Sequence, residues 1–190
     1  MSVAGLVLAA GAGTRLGRPK ASLVLDGERF VDRAARTLTE GGCTVVVVVS
    51  GAQDLAVDRA SVVDNPDWPT GMGSSLRRGL AAMPQAVDAV VVLLVDTPRV
   101  GAGAVRRLID ARGSRSGLAI ATYGGRRGHP VLLGREHWPG VAELARGDEG
   151  ARPYLSAHPD ELLEVPCDGT GDPVDVDTAA DVRTLGVHLI

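Results

Sequence analysis

Three groups of residues in this chain have the types and spacing to do chemistry. The run Leu8-Ala-Ala-Gly-Ala-Gly-Thr-Arg-Leu-Gly-Arg-Pro-Lys20 sets Gly11 and Gly13 in a turn and follows them with Arg15, Arg18 and Lys20. Glycines let backbone approach a ligand closely, and successive N–H groups in such a turn cradle anions. With cations close behind, the run suits a triphosphate; Arg18 alone also reads as a solvated side chain. Two other phosphate motifs do not fit. Leu16 stands where a dinucleotide fingerprint needs its third glycine, and the next long apolar run ends in Ser50-Gly51 without an acid for the ribose. Neither Gly11 nor Gly13 is followed five residues later by Gly-Lys, so a Walker loop is excluded.

The second group is Val90-Val-Val-Leu-Leu-Val-Asp-Thr-Pro98, an apolar run that delivers Asp96 to its end. A carboxylate there is either a hard-metal ligand or a cap for the helix that follows. Magnesium takes one or two carboxylates plus phosphate oxygens, so Asp96 beside the Lys20 loop would complete a metal-triphosphate site. The third group is Asp175-Val-Asp-Thr-Ala-Ala-Asp181, read as a short strand turning into a helix. Asp177 or Thr178 is its cap, or Asp177 a second metal ligand, and local sequence does not separate these.

The elements that must position these groups follow from hydrophobic pattern. Residues 3–10, 44–50, 87–95 and 117–123 are apolar runs without alternation, the mark of strands buried on both faces. Between them, residues 31–40, 74–83 and 102–112 read as helices stopped by Gly41-Gly42, Pro84 and Gly113. Such alternation predicts a three-layer α/β/α arrangement, with a mostly parallel sheet and right-handed crossovers. Five prolines break the last third into short pieces before a helix near 178–185. Gly124-Gly-Arg-Arg-Gly128 reads as a mobile basic loop. A single domain over residues 1–190 is expected.

Composition narrows the class further. The chain has 190 residues, 45% of them hydrophobic and only 3% aromatic, with 20 Lys plus Arg against 23 Asp plus Glu. That length supports one core without a disulfide or metal staple. The slight acidic excess and the scarcity of aromatics argue against nucleic acid as a partner. No apolar stretch reaches the length of a membrane span, and the first ten residues lack a signal-peptide layout, so a cytoplasmic protein is expected. Cys43 and Cys167 lack metal-ligand spacing and read as buried or incidental thiols. His137, His158 and His188 match no motif, and Trp68 and Trp138 read as packing residues.

Taken together, the Leu8 to Lys20 run, Asn65-Pro-Asp-Trp-Pro-Thr-Gly-Met-Gly-Ser-Ser-Leu76, Asp96-Thr-Pro98, Gly128-His-Pro130 and Asp175-Val-Asp-Thr178 resemble the molybdenum cofactor cytidylyltransferase family. The resemblance spans nearly the whole chain and implies a Rossmann-like, GT-A-type nucleotidyltransferase fold. It implies that Leu8, Ala9, Ala10, Gly11, Gly13, Arg15 and Lys20 bind the nucleotide and that Asp96 and Asp177 hold Mg²⁺, with Mn²⁺ as an alternative ion. The Ala-Ala-Gly start resembles the cytidylyl branch, whereas related guanylyltransferases carry Leu-Ala-Gly-Gly, which points to CTP. Gly71, Ser74 and Ser75 open a helix whose N–H groups and hydroxyls would hold an anion or the base, or serve as its N-cap. His129 would lie on the acceptor side. One departure stands out: Ala179 and Ala180 replace the proline and acid of the family's closing Asp-x-Asp-Thr-Pro-Glu-Asp.

The implied activity is transfer of CMP from CTP to the phosphate of molybdopterin with release of pyrophosphate. A molybdoenzyme client is a further partner that the resemblance allows. Arg15, Lys20 and Asp96 would carry the chemistry, and an ionised phosphate acceptor needs no general base. Two other classes fit the same chain. Some proteins resembling this family, nicotine blue oxidoreductase among them, are NAD(P)H-dependent reductases, and a non-catalytic cofactor-carrying chaperone would use the nucleotide site only as a gate.

Overall fold

The computed structural model describes residues 1–187, so His188 lies outside the described residues. Among the described residues there are nine strands: β1 (Val3–Leu8), β2 (Val24–Leu25), β3 (Glu28–Arg29), β4 (Val45–Ser50), β5 (Ser61–Asp64), β6 (Ala89–Leu94), β7 (Leu118–Tyr123), β8 (Arg126–Gly134) and β9 (Leu163–Pro166). Six α-helices accompany them: α1 (Phe30–Glu40), α2 (Met72–Ala81), α3 (Ala102–Arg112), α4 (Trp138–Leu144), α5 (Arg152–Ala157) and α6 (Ala179–Leu185). Seven strands form one sheet in the order β5-β4-β1-β6-β8-β7-β9, while β2 and β3 make a separate hairpin. All pairings in the large sheet are parallel except those of β8, which runs against both β6 and β7.

The continuous apolar runs are buried on both faces for a plain reason. Along β1, Val3 and Val7 face α1 and α3, where they meet Phe30, Leu38 and Leu108. Ala4, Leu6 and Leu8 face the other way, toward Leu76 and Leu80 of α2, Trp138 and Val141 of α4, and Tyr154 of α5. Since successive side chains alternate across a sheet, a strand covered by helices on both sides must be apolar at every position. The α/β/α layering expected from sequence is therefore the observed one.

Two expectations are corrected. Gly124-Gly-Arg-Arg-Gly128 is not a loop: Gly124 and Gly125, with φ of 55° and 75°, form the turn of a β7–β8 hairpin, and Arg126 already pairs with Tyr123. Two consecutive glycines with positive φ match the right-handed twist of paired strands. Residues 173–177 form no strand; they are held by single contacts, among them Asp172 N–H to Arg99 O at 3.0 Å and Val176 N–H to Asp96 O at 2.9 Å. The last third is broken as expected into short pieces, α4, α5 and β9, with Pro139 and Pro153 in the first turns of the two helices, before α6.

Strand order places the site. From β1 the chain steps outward to β4 and β5, then returns to the opposite side of β1 as β6. Ligands in open α/β sheets bind where the order reverses, outside the strands' carboxyl ends, which here means the turns after β1 and β6. Leu6 is fully buried in the middle of this arrangement. Leu6→Ala is expected to lower stability by about 2–5 kcal/mol, the usual range for a Leu→Ala cavity, as read from urea unfolding.

Candidate functional site

The turn after β1 leaves Ala9 and Ala10 buried and still tied to β4: the Ala9 N–H donates to Val49 O, and the Ala10 carbonyl accepts from Ala52 N–H. Beyond them the chain turns tightly through Gly13 (φ 61°) and closes Leu16 N–H onto Gly13 O at 2.9 Å. A Cβ on Gly13 would lie 1.9 Å from Arg18 O, so this path is open to glycine alone. Gly11 is exposed with open space beside it, and Arg18 is exposed.

Lys20 opens a single turn of 3₁₀ helix and points back across the sheet's edge. Its ammonium donates to Asp96 Oδ2 at 2.8 Å and also to Asp177 Oδ1. The second oxygen of Asp177 accepts from Arg15 Nη1 at 3.1 Å. The structure thus brings together four of the residues picked from sequence: Arg15, Lys20, Asp96 and Asp177. The Lys20 and Asp96 side chains are only 16% and 22% exposed, so their attraction is weakly screened, whereas Arg15 is 75% exposed and its pair contributes little. Burial alone would lower the pKa of Lys20, but the Asp96 and Asp177 carboxylates outweigh it and hold the ammonium above its usual value.

The structure settles the capping roles of Asp96 and Asp177. Asp96 does not cap α3, whose N-cap is Gly101. Thr178 caps α6 in a reciprocal capping box with Asp181, which releases the Asp177 carboxylate toward Lys20. Sequence reading passed over Asp175, although it stands two residues before Asp177. Desolvation of its carboxyl and the nearby charges of Asp96 and Asp177 push its pKa above the usual carboxylate range.

Gly71, Ser74 and Ser75 are placed differently from what their sequence suggests. Both serine side chains are buried, and Asn65 Nδ2 donates to Ser74 Oγ at 2.9 Å and to Ser75 Oγ at 3.0 Å. The N–H groups at the start of α2 are also taken: Gly71 by Trp68 O, Met72 by Asp148 Oδ1 and Gly73 by Gly147 O. These donors and hydroxyls therefore anchor α2 to the preceding turn and to residues 145–150.

His129 faces a separate cleft of about 830 Å³ next to the carboxylate cluster. Its floor is apolar, with Leu8, Leu76, Val92 and Val131, and its rim carries Arg126, Arg127 and Arg152. Asp175 lines its near edge, which joins it to the charged cluster. The His129 Nδ1–H donates to Val92 O at 3.4 Å, because a carbonyl only accepts. Burial lowers the pKa of this imidazole against the pull of Val92 O and Asp96. The arginine rim was missed from sequence because the hairpin and the Gly147-Asp-Glu-Gly-Ala-Arg152 turn were not connected to the site.

The remaining residues singled out are structural. His137 is buried between Tyr154 Oη (2.9 Å) and Ser116 O (3.2 Å), and His158 stacks on Tyr154 with ring centroids 4.0 Å apart. Trp138 Nε1–H donates to Leu133 O at 2.9 Å, and Trp68 packs against the second core cluster. Both cysteines are free and buried, with the Cys43 thiol pushed up to about 12 by burial.

A doubly wound α/β sheet with a glycine turn, a lysine and an acid at its switch point defines a nucleotide-handling α/β protein. A family model for the MobA-like NTP transferase domain matches residues 5–162. The chain is 40% identical over 198 residues to nicotine blue oxidoreductase of Paenarthrobacter nicotinovorans, covering 96% of each chain. It is 36% identical over 135 residues to a molybdenum cofactor guanylyltransferase of Rhizobium johnstonii, covering 68% of this chain and 61% of that one. Among solved structures, Rv0371c of Mycobacterium tuberculosis H37Rv superposes with a TM-score of 0.84 at 28% identity over 97% of each chain. A complex of Rv0371c with manganese superposes with a TM-score of 0.79 at the same identity, over 97% of this chain and 98% of that one. The chain belongs to the MobA-like NTP transferase domain family, in agreement with the motifs read from its sequence. Its domain is that of a nucleotidyltransferase. Among the described residues no helix is long and apolar enough to cross a membrane.

Two outcomes are expected from this geometry. Gly13→Ala should weaken triphosphate binding about tenfold or more, the equivalent of 1–3 kcal/mol of backbone strain, with an unchanged circular dichroism spectrum. Because the folded-state pKa of Lys20 is raised, its contribution to stability is complete below its ordinary value and is lost as pH rises through the folded value. The difference in melting temperature between wild type and Lys20→Met should therefore persist through neutral pH and shrink only above about pH 10.4.

Proposed function

We propose that this protein is a cytidylyltransferase that moves CMP from CTP to the terminal phosphate of molybdopterin and releases pyrophosphate. The observation that carries this reading is the convergence of Lys20, Asp96 and Asp177 at the switch point beside the Gly11 to Gly13 turn. Cations for phosphates and carboxylates for a metal meet there within hydrogen-bond distance.

A divalent ion suits these residues. Asp96 Oδ1 is buried and has no hydrogen-bond partner among the described residues, as expected of an oxygen reserved for a cation. No group of three or more carboxylate, imidazole or thiolate side chains placed to hold a metal occurs among the described residues. A pair of hard oxygen ligands is nonetheless enough for Mg²⁺ or Mn²⁺ when phosphates and water complete the shell. Asp96 and Asp177 would hold it. When bound, the ion supplies charge neutralisation and a template for phosphate oxygens. The manganese complex of Rv0371c supports a divalent-metal requirement.

The chain's own residues account for the rest. The Gly11 to Gly13 backbone cradles the β- and γ-phosphates, and Lys20 and Arg15 neutralise the charge that grows on pyrophosphate as it leaves. Leu8, Ala9 and Ala10 offer backbone to the cytosine, while Gly71, Ser74 and Ser75 act indirectly by fixing α2. The neighbouring cleft takes the acceptor: its apolar floor holds the ring system, and Arg126, Arg127, Arg152 and His129 hold the polar periphery. The acceptor's phosphate oxygen bonds to the α-phosphorus as the bond to the bridging oxygen of pyrophosphate breaks. The attacking group is already ionised, so no side chain has to remove a proton.

A second reading is favoured by one specific observation, the end-to-end match to nicotine blue oxidoreductase. Against an NAD(P)H-dependent reductase stand Leu16 in place of the third fingerprint glycine and Ser50-Gly51, not an acid, at the end of β4. Thermal unfolding with CTP, GTP, ATP, UTP, NADH and NADPH, each with and without Mg²⁺, separates the two. CTP with Mg²⁺ is expected to stabilise selectively, by about 2.7 kcal/mol at a hundredfold excess over Kd. Stabilisation by the nicotinamide nucleotides alone would overturn the transferase. Asp96→Ala should fold normally and lose at least roughly a hundredfold in metal-dependent turnover; near-normal turnover would remove Asp96 from the site.

A further inference from the structure

The carboxylates assigned above to a metal already hold a cation. Of the four oxygens on Asp96 and Asp177, Lys20 Nζ takes one from each residue and Arg15 takes a third. The fourth, Asp96 Oδ1, is buried and unpartnered among the described residues. A hard dication binds carboxylate oxygen at about 2.0–2.1 Å, within the space that an ammonium hydrogen-bonded to the same oxygens fills. Two cations at such a distance also repel strongly where water is scarce. A divalent ion bridging Asp96 and Asp177 therefore competes with Lys20 for the same place.

We propose that Lys20 is a resident counter-ion that blocks the metal site of the nucleotide-free protein and leaves it only when a triphosphate arrives, so that metal and nucleotide load together. This rests on the reading of Asp96 and Asp177 as metal ligands. The movement asks little of the fold. The Lys20 backbone is fixed by Leu23 N–H donating to Lys20 O at 3.0 Å and by Pro19 before it, while four rotatable side-chain bonds allow the ammonium to swing. A bound triphosphate provides both the new partner for Lys20 and the anionic oxygens that complete the metal's shell. Without nucleotide, Lys20 satisfies two buried or half-buried carboxylates and prevents their mutual repulsion. The protein is then spared binding a bare metal that could not react.

The test is a Mn²⁺ titration at neutral pH, following the free ion by electron paramagnetic resonance, on wild type and Lys20→Met with and without CTP. Lys20→Gln serves as a second variant that retains a polar side chain, and thermal unfolding verifies that each protein is folded. Wild type alone should bind Mn²⁺ weakly and wild type with CTP tightly. Lys20→Met and Lys20→Gln alone should bind it about tenfold or more tightly than wild type alone, since one positive charge has left the site. That gain should vanish in Lys20→Met/Asp177→Asn. Lysine variants that bind Mn²⁺ no more tightly than wild type, or a gain that survives Asp177→Asn, overturn the inference. If wild type with CTP still binds the ion in that case, the reading of the site stands without it. Absence of Mn²⁺ binding by every protein, both without CTP and, with CTP, beyond what protein-free CTP takes up itself, overturns both.

Discussion

A carboxylate delivered by a buried strand to the edge of a sheet has to be answered by positive charge. Asp96 is that carboxylate, with its side chain 22% exposed at the end of β6. Left unpaired, a desolvated anion of this kind is costly, and the fold answers it with Lys20 from the turn after β1. The same ammonium draws in Asp177, and Asp177 draws in Arg15. Three segments far apart in sequence are thus tied together by charge at the point where strand order reverses.

Backbone pairing sets up the meeting. Val176 N–H donates to Asp96 O, and Gly171 bridges to Val100, so the segment before α6 is laid along the turn after β6. Asp177 is consequently delivered beside Asp96 by main-chain contacts, before any side-chain attraction acts. The capping box of Thr178 and Asp181 completes the placement by relieving Asp177 of a capping role. Ala179 and Ala180, where the resembling family carries proline and an acid, leave this box intact, because it uses only Thr178 and Asp181.

The cleft beside the charged cluster has a different origin. It lies where the antiparallel β8 interrupts the parallel sheet and where residues 145–152 pack onto the start of α2. The β7–β8 turn carries Arg126 and Arg127 to its rim, and Arg152 comes from the N-terminus of α5. Helix α2 is held in place from both ends of its first turn, by Asn65 on its serines and by Gly147 and Asp148 on its amides. Gly71, Ser74 and Ser75, singled out from sequence, are part of this scaffolding.

Much of the architecture was legible in the chain itself. Unbroken apolar runs forced strands covered on both faces, glycine and proline stops bounded three helices, and a glycine turn with trailing cations marked the phosphate end of the sheet. Lys20 and Asp96 were readable because each lies just beyond a strand that must be central. What sequence could not decide was partnership. Ser74 and Ser75 look the same whether they face a ligand or Asn65, since local sequence does not record which side of a helix's first turn is covered. Gly124 to Gly128 looked mobile because a glycine pair signals a hairpin only once its flanking strands are recognised, and Arg126 and Arg127 do not resemble strand residues. Asp177 could be a cap or a ligand until Thr178 and Asp181 closed on each other. The sequence by itself determined the layers and the chemistry available at one edge of the sheet, because hydrophobic period and glycine conformation are local properties. Only the tertiary structure decided which charges meet, because 76 residues separate Lys20 from Asp96 and 157 separate it from Asp177, and no local pattern spans such distances.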